Sequence, residues 1–456
     1  MAYVKNTDQL LSHGNIDIRK AALEMIEYAL AKADPYGATK ALVSIQGDIL
    51  RVGALKFDLT KYKHIYLLGA GKATYPIARA LEDILGDRIS GGVVVGKYGQ
   101  QGILSRAELR LASHPIPDES GFEASQKALD LAARTQKDDI VFGCITGGSS
   151  ALLPFPAEGI TLEEKKVVNK LLLSCGANIV EINAVRKHLS QIKGGRLARA
   201  IHPQAQLINL TVSDVIADPL DYITDPTVPD TSTFDDAKAT LTKYDLWSRV
   251  PDSVSRFLNM ANPELETPKE KDLAGYNRHD FIIVKSDKAC MGADEKAREL
   301  GFNSMILSTM LEGESKELGR TFAAIAGEIA LNQRPLTPPC VVIGGGETTV
   351  TIDSDVGKGG PNQEFALSAA LFIENIDDVV VVGLDSDGTD GPTEFAGAIT
   401  DGSTMKRSRK SGLNIFDSLK RHNVTPVLSA LGDAILTGAT GTNVNDLKLM
   451  IISPKY

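Results

Sequence analysis

Residues 64–85 read HIYLLGAGKATYPIARALEDIL, and this stretch decides the fold class. An apolar run is followed by a glycine turn, after which apolar residues recur at helical spacing. The strand-like runs GGVVVG (91–96) and IVFGCITGG (140–148) follow, with a further helical pattern between them. Strands that alternate with helices predict an α/β fold with a doubly wound, mostly parallel sheet.

The length of the chain predicts two domains. Hydrophobic cores stop growing at about 250–300 residues, and this chain has 456. A new pattern of strand then helix begins at HDFIIVKSDKACMGADEKARELG (279–301), after a segment that reads as surface helices. The sequence therefore predicts an N-terminal α/β/α domain over residues 1–280 and a smaller C-terminal α/β domain over residues 281–456.

Composition and charge exclude several classes of protein. A net charge of -9 disfavours a nucleic-acid-binding surface, because such surfaces carry a basic excess. No uncharged run could span a bilayer, and the first residues lack a signal-peptide pattern, so we expect a cytoplasmic protein with no membrane partner. The four scattered cysteines indicate neither a zinc site nor a disulfide framework. A monomer and a homodimer both remain open.

Gly71 and Lys72, in the GAGK turn, are the first candidate site residues. At the start of a helix, backbone N–H groups can hold an anion, and Lys72 adds a positive charge. The spacing does not match a Walker loop. It does not match a dinucleotide fingerprint either, since Thr74 replaces the third glycine and the second strand ends in Gly96-Lys97 rather than in an acid. The alternative is a tight turn with an exposed lysine.

Two further segments are candidate sites for phosphate or carboxylate groups. The first is the turn after the third predicted strand, which contains Gly147, Gly148, Ser149 and Ser150. Its small residues allow close approach of an anion, although helix capping by a serine is the alternative. The second is a cation-rich segment in an otherwise acidic chain, with Arg186 and Lys193. It suits an anionic substrate or ATP phosphates, whereas a solvated helix face would show the same pattern.

Acidic residues that follow two predicted strands are candidates for a magnesium site or a catalytic base. Asp214 follows one strand, and Asp387 and Asp390 lie in a glycine-rich loop after another. Carboxylates in such positions hold magnesium or take a proton from an attacking hydroxyl, but Asp-Gly pairs are also ordinary turn formers. Near the C-terminus, Thr442 and Asn443 either contact a phosphate or carboxylate or belong to a polar loop.

Taken together, these segments resemble the class II glycerate 2-kinase family, whose C-terminal part is called the MOFRL domain. The matching blocks, in family order, are GAGKA, GGSSAL, NAVRKHLS, IKGGRLA, SDV, PTVPD, GGGETTV, NQE, GTDGPT and TGTNVND. The resemblance covers nearly the whole chain and implies a MOFRL region over about residues 339–448. It also implies a cleft between two domains that binds Mg-ATP and D-glycerate, with Lys72 as a catalytic lysine.

Three blocks depart from the family pattern. The family commonly reads GGRNQE, with an arginine thought to act in the active site, whereas Pro361 precedes Asn362, Gln363 and Glu364 here. Residues 217–219 read ADP where the family reads GDD, and residues 224–227 read TDPT where it reads SGPT. The resemblance places Asn362, Gln363 and Glu364 in the substrate or phosphate site. These differences concern the substrate rather than the fold.

The resemblance implies an ATP-dependent kinase that converts D-glycerate to 2-phosphoglycerate. In this hypothesis, Lys72 stabilises the transferring phosphoryl group, and Asp214 is a base or a magnesium ligand. A kinase for a related acid, such as erythronate or threonate, is the main alternative. An NAD(P)H-dependent hydroxypyruvate reductase, a label often given to family members, and a non-catalytic ligand-binding relative are the others.

Overall fold

The chain folds as two compact units in a computed structural model. The structure describes residues 2–352, 357–374, 376 and 378–453. The N-terminal unit consists of residues 35–213 and 218–283. The C-terminal unit consists of residues 2–34, residues 214–217 and the described residues from 284 onward. In these parts of the chain, no helix is both long and apolar enough to cross a membrane.

The strands form one small and two larger sheets within the described residues. They are β1 (Val43–Gln46), β2 (Ile49–Val52), β3 (Leu55–Asp58), β4 (His64–Ala70), β5 (Gly91–Lys97), β6 (Glu108–Ala112), β7 (Asp139–Ile145), β8 (Gln206–Val212), β9 (Asn277–Val284), β10 (Asn303–Leu311), β11 (Cys340–Gly346), β12 (Val379–Asp385), β13 (Gly397–Asp401), β14 (Ala434–Ile435) and β15 (Asp446–Ile452).

The helices alternate with the strands. They are α1 (Thr7–Leu10), α2 (Ile16–Lys32), α3 (Pro35–Leu42), α4 (Thr74–Leu85), α5 (Glu119–Ala133), α6 (Ser149–Leu152), α7 (Leu162–Ser174), α8 (Ile179–His188), α9 (Arg196–Ala200), α10 (Leu220–Ile223), α11 (Phe234–Lys243), α12 (Asp252–Met260), α13 (Glu270–Leu273), α14 (Lys288–Glu299), α15 (Ser315–Asn332), α16 (Pro361–Phe372), α17 (Thr404–Lys410), α18 (Ile415–Lys420) and α19 (Thr425–Leu431). Short 3-10 turns lie at Leu59–Lys61, Gly86–Arg88, Asp225–Thr227 and Pro263–Leu265.

The main sheet of the N-terminal unit has the strand order β6-β5-β4-β7-β8-β9. The pairs from β6 to β8 are all parallel. The chain runs from β4 outward to β6 and then returns to β7, so the strand order reverses between β4 and β7. Ligands bind at such a switch point, outside the carboxyl ends of the strands. The predicted doubly wound, mostly parallel α/β fold is confirmed.

Close packing of β4, α4 and β7 explains the apolar pattern that begins at residue 64. β7 is buried along its whole length, as expected for a parallel strand that is covered on both faces. Helix α4 buries Ile77 and Leu81, which are one helical turn apart. At its start, Oγ1 of Thr74 donates to the carbonyl of Cys144 (2.7 Å). A Cβ on Gly69 would lie 2.4 Å from that hydroxyl, so the strand must carry a glycine there.

The sheet of the C-terminal unit is mixed. Its strand order is β10-β11-β15-β12-β13-β14, and β15 runs antiparallel to both of its neighbours. Phe322 of α15 meets Phe365 of α16 edge to face, with ring centroids 5.1 Å apart. A Cβ on Gly319 would lie 2.3 Å from the carbonyl of Phe365, so the two helices pack with their backbones close together. The α/β class predicted for the C-terminal part is confirmed.

Helix α2 belongs to the C-terminal unit although it lies near the start of the chain. Its Arg19 is fully buried, and it donates from Nε to Asp401 (2.6 Å) and from Nη2 to Asp433 (2.9 Å). Burial of three charged groups is stable only when they are paired in this way. The antiparallel sheet β1-β2-β3 is a second element that the sequence analysis did not predict.

Candidate active site

Two loops that follow adjacent strands meet at the switch point of the N-terminal unit. The amide of Lys72 donates to the carbonyl of Gly147 (2.8 Å). In the opposite direction, the amide of Thr146 donates to the carbonyl of Ala70 (2.9 Å). The structure therefore brings together two candidate segments that the sequence identified separately, the GAGK turn and the turn at residues 147–150.

Glycines at this junction allow side chains and backbone to approach closely. Gly71 has a φ of +138°, and a Cβ there would lie 2.1 Å from Oγ1 of Thr146. Gly148 has a φ of +87°, and a Cβ there would lie 3.1 Å from Cγ of Lys72 and 3.3 Å from Nε2 of His114. The side chains of Lys72 and His114 therefore lie against the same glycine. Both residues are half-buried, so they remain accessible from solvent.

His114 is a site residue that the sequence analysis missed. It lies two residues beyond the end of β6, a parallel strand of the same sheet. The carboxyl ends of parallel strands meet at one edge of a sheet, and this rule would have identified it. An imidazole and an ammonium group beside a glycine turn offer donors and positive charge to a phosphate.

Ser149 and Ser150 begin α6, whose N-cap is Gly148. Within the described part of the chain, no side chain accepts a hydrogen bond at this cap. The alternative that a serine caps the helix is therefore wrong. Ser149 is buried and Ser150 is half-buried, so Ser150 is the more accessible of the two serines.

Gly71→Ala is expected to destabilise this junction by more than about 1 kcal/mol in the free energy of unfolding. Alanine disfavours the φ of +138°, and its methyl group would clash with Oγ1 of Thr146. Chemical unfolding measures the effect. Gly86→Ala, after the last turn of α4, is the matched control, because Gly86 has a φ of +53° and no atom within 4 Å of an added Cβ. Equal losses in the two variants would contradict the steric role of Gly71.

Most of the cation-rich segment is buried rather than solvated. The alternative of a solvated helix face is therefore wrong for Lys187 and His188. Lys187 is fully buried, and its Nζ pairs with Asp221 and with Asp230 (3.1 Å). His188 is also buried, and its Nε2 lies 2.6 Å from Oε1 of Glu266. These two side chains fix helix α8, which carries Arg186, against the neighbouring loops.

The contact of His188 with Glu266 makes the stability of this region sensitive to acid. Burial raises the pKa of Glu266, but hydrogen bonds from His188 and from the amide of Phe234 outweigh it, so the pKa lies below its ordinary 4.5. A carboxylate with a lowered pKa stabilises the folded state above about pH 4.5, and this contribution is lost as the pH falls.

Glu266→Gln is therefore expected to lower the free energy of unfolding at pH 7 and to flatten its decline between about pH 5 and about pH 2. Urea unfolding at several pH values measures both effects. Glu264→Gln, at an exposed glutamate two residues earlier, controls for the loss of one negative charge. An unchanged decline in Glu266→Gln would show that this carboxylate does not carry the acid sensitivity.

Arg186 and Lys193 lie together with Lys165 and Asp225, and these four residues are called the cation cluster below. Nε of Arg186 donates to Oδ1 of Asn169 (3.1 Å). Lys193 pairs with Asp225 at 3.6 Å. Burial, and then the charge of Lys193, lower the pKa of Lys165, and burial also lowers the pKa of Lys193. An anion bound near these side chains would offset the free-energy cost of burying their positive charges.

In the C-terminal unit, two predicted site residues, Asp214 and Asn443, contact each other. Nδ2 of Asn443 donates to Oδ2 of Asp214 (2.7 Å), and Asp214 stays half-buried. Thr442 is buried, and its Oγ1 donates to the carbonyl of Ala33 (2.6 Å). The amide of Asn443 therefore orients the carboxylate of Asp214, while the hydroxyl of Thr442 holds the backbone after α2.

Asn362, Gln363 and Glu364 are buried at the start of α16. The carboxylate of Asp390 accepts hydrogen bonds from the amides of Asn362 (3.0 Å) and Gln363 (2.8 Å), and burial raises the pKa of Asp390 to about 7. Oε1 of Glu364 lies 2.8 Å from Nδ1 of His422. These contacts fix the first turn of the helix. The predicted roles of these side chains in ligand or metal binding stay predictions.

The predicted magnesium ligands do not form one cluster. Within the described residues, no group of three or more His, Cys, Asp or Glu side chains is placed to hold a metal ion. Asp387 accepts hydrogen bonds from the amide (2.8 Å) and from Oγ1 (2.6 Å) of Thr389. Magnesium usually takes only one or two protein carboxylates together with substrate phosphates, so Asp214 and Asp387 stay candidate ligands.

Comparisons with known proteins agree along nearly the whole chain. A family model described as a domain of unknown function (DUF4147) matches residues 21–259, and the MOFRL family model matches residues 340–446. A glycerate 2-kinase of Pyrococcus horikoshii is 43% identical over 442 residues, covering 96% of this chain and 98% of that protein. A D-glycerate 2-kinase of Thermotoga maritima is 39% identical, covering 95% of this chain and 98% of that protein. The crystal structure of a Thermotoga maritima glycerate kinase superimposes with a TM-score of 0.80 at 38% identity, covering 96% of this chain and 99% of that one.

Proposed function

Because this chain belongs to the class II glycerate kinase family, we propose that it transfers a phosphoryl group from ATP to a hydroxyl group of a small hydroxy acid. D-Glycerate is the proposed acceptor and 2-phosphoglycerate the proposed product, in line with the names of its relatives. A longer acid such as erythronate or threonate is the second candidate. It is favoured by Pro361, which stands at the start of α16 where the family pattern has an arginine.

The observation that carries the proposal is the junction of Lys72, His114 and Gly148 at the switch point of the N-terminal sheet. Phosphoryl transfer needs little covalent chemistry from the protein, because positioning and neutralisation of charge supply most of the rate enhancement. The ammonium of Lys72 supplies positive charge there. The turn at residues 147–150 supplies amides and the hydroxyl of Ser150.

The phosphates of ATP are the ligand that we propose for the same junction. Glycine at position 148 leaves open the space that a Cβ would fill between Lys72 and His114. We propose that Lys72 and the turn at residues 147–150 hold the phosphates. Magnesium, when bound, would neutralise negative charge on the phosphates. Asp214, Asp387 and Asp390 stay the proposed magnesium ligands, and Asp214, which Asn443 orients, is the alternative base for the acceptor hydroxyl.

The test is ADP release by the purified protein with Mg-ATP and each of D-glycerate, L-glycerate, erythronate and threonate. Phosphorus NMR of the product identifies the phosphorylated hydroxyl. Turnover of D-glycerate to 2-phosphoglycerate supports the proposal, and turnover of only a four-carbon acid supports the second candidate. No ADP release with any of these acids contradicts both. Oxidation of NADH or NADPH by hydroxypyruvate would support the reductase alternative. The expectation of a cytoplasmic monomer or homodimer stays a prediction.

A further inference from the structure

Lys193 and Asp225 form an incomplete ion pair inside the cation cluster. Nζ of Lys193 lies 3.6 Å from Oδ2 of Asp225, which is too far for a hydrogen bond. Nζ of Lys193 and Oδ1 of Asp225 are both buried, and neither has a hydrogen-bond partner among the described residues. The two side chains are only 1% and 11% exposed. An unsatisfied buried polar atom costs about 1–3 kcal/mol, and here a donor and an acceptor both carry that cost.

Neighbouring groups do not complete this pair because they have other partners. Lys187, on the adjacent helix α8, is paired with Asp221 and Asp230. Nζ of Lys165 donates to the carbonyl of Leu189 (3.1 Å). The donor on Lys193 and the acceptor on Asp225 therefore lie close together without a hydrogen-bond partner among the described residues. Native proteins rarely leave such groups unsatisfied unless the site has a function.

The cation cluster also favours an anion. The charge of Asp225 acts on Lys165, Arg186 and Lys193, so one carboxylate faces three cationic side chains. Arg186 is the half-buried member of the cluster, and a ligand that arrives from solvent meets it first. A guanidinium group binds a carboxylate through two parallel hydrogen bonds. The cluster thus combines the guanidinium group of Arg186, which can bind a carboxylate, with a buried donor on Lys193 and a buried acceptor on Asp225.

We propose that Lys193 and Asp225 bind a hydroxyl group of the acid substrate, other than the hydroxyl that accepts the phosphoryl group, while Arg186 binds the carboxylate of the acid. A hydroxyl accepts a hydrogen bond from Nζ and donates one to Oδ1 at the same time. A second carboxylate would be repelled by Asp225, and an ammonium group by Lys193. This inference rests on the proposed function and adds the residues that recognise the second hydroxyl group of the acid.

The test compares binding of D-glycerate with binding of D-lactate, which lacks the 3-hydroxyl group. Isothermal titration calorimetry without ATP measures both acids. The wild-type protein is expected to bind glycerate about 10- to 100-fold more tightly than lactate. Asp225→Ala is expected to weaken glycerate binding by a similar factor and to leave lactate binding unchanged, so that the preference disappears. Asp225→Asn keeps an acceptor oxygen and is expected to retain part of it.

The ratio of the two affinities separates recognition from a general loss of structure, because a folding defect weakens both acids together. Asp235→Ala is the matched control, at an exposed aspartate of the same unit that pairs with the half-buried Lys238. Equal binding of glycerate and lactate by the wild type would overturn the inference. An unchanged preference in Asp225→Ala, or an equal loss for both acids, would also overturn it. Because no ATP is present, the failure of ADP release would remove the proposed function without deciding this result.

Discussion

Lys72→Ala is expected to lower kcat for ADP release by about 10²- to 10³-fold, the usual cost of removing one group that stabilises charge in a transition state. The backbone of Lys72 is held by Gly147, and its side chain lies against Gly148 beside His114. Alanine keeps the backbone contacts and removes the ammonium group together with the aliphatic chain that carries it. The loss should therefore appear mainly in kcat, with a smaller change in KM for the acid.

Two variants make this result specific. Lys72→Arg keeps the positive charge with a different shape and is expected to recover part of the lost kcat. Lys63→Ala is the matched control, since Lys63 is an exposed lysine just before the opposite, amino end of β4. Circular dichroism and thermal unfolding confirm that each variant is folded. A folded Lys72→Ala protein with unchanged kcat would remove Lys72 from the reaction.

The sequence predicts the larger strands and the turns after them because both faces of these strands are buried. β7 and β11 are buried at every position, so they read as continuous apolar runs rather than as alternating patterns. Glycines at their ends mark the points where backbone or side chains approach closely. The same signals identify Lys72 and the turn at residues 147–150 as one edge of the site, since parallel strands place their carboxyl ends together.

Other parts of the fold depend on contacts between residues that are far apart in the chain. Helix α2 reads as an ordinary amphipathic helix, and the sequence near it does not reveal the partners of Arg19 on β13 and after α19. The strands of the sheet β1-β2-β3 have four residues each, which is too short for a clear alternating pattern.

Burial of charged residues is the feature that the sequence analysis could not resolve. Lysine is typical of solvated surfaces, yet Lys165, Lys187 and Lys193 are all buried. Whether a lysine is buried depends on the carboxylates and carbonyls that other segments bring to it, as Asp225 shows for Lys193. The role of Asp225 therefore becomes apparent only from the structure.

Arg19→Ala is expected to lower the free energy of unfolding by about 3–5 kcal/mol, because it leaves the buried carboxylate of Asp401 without its cation and removes one partner of Asp433. Arg19 is fully buried, and it donates to Asp401, to Asp433 and from Nη1 to the carbonyl of Leu10 (3.1 Å). Lys20→Ala removes the next, exposed cation on the same helix and serves as the matched control. Chemical unfolding of both variants measures the difference.

The reason for the loss can be tested separately from its size. In Arg19→Met, the long apolar side chain fills most of the space of the arginine, so a loss that persists reflects the unpaired charges rather than a cavity. Adding Asp401→Asn to Arg19→Met removes the carboxylate that has lost its cationic partner and should recover part of the stability, whereas Asp433 still pairs with Arg407 (2.7 Å). A double variant that is less stable than Arg19→Met would mean that the carboxylate of Asp401 stabilises the unit through its contacts with Ser403 rather than through Arg19.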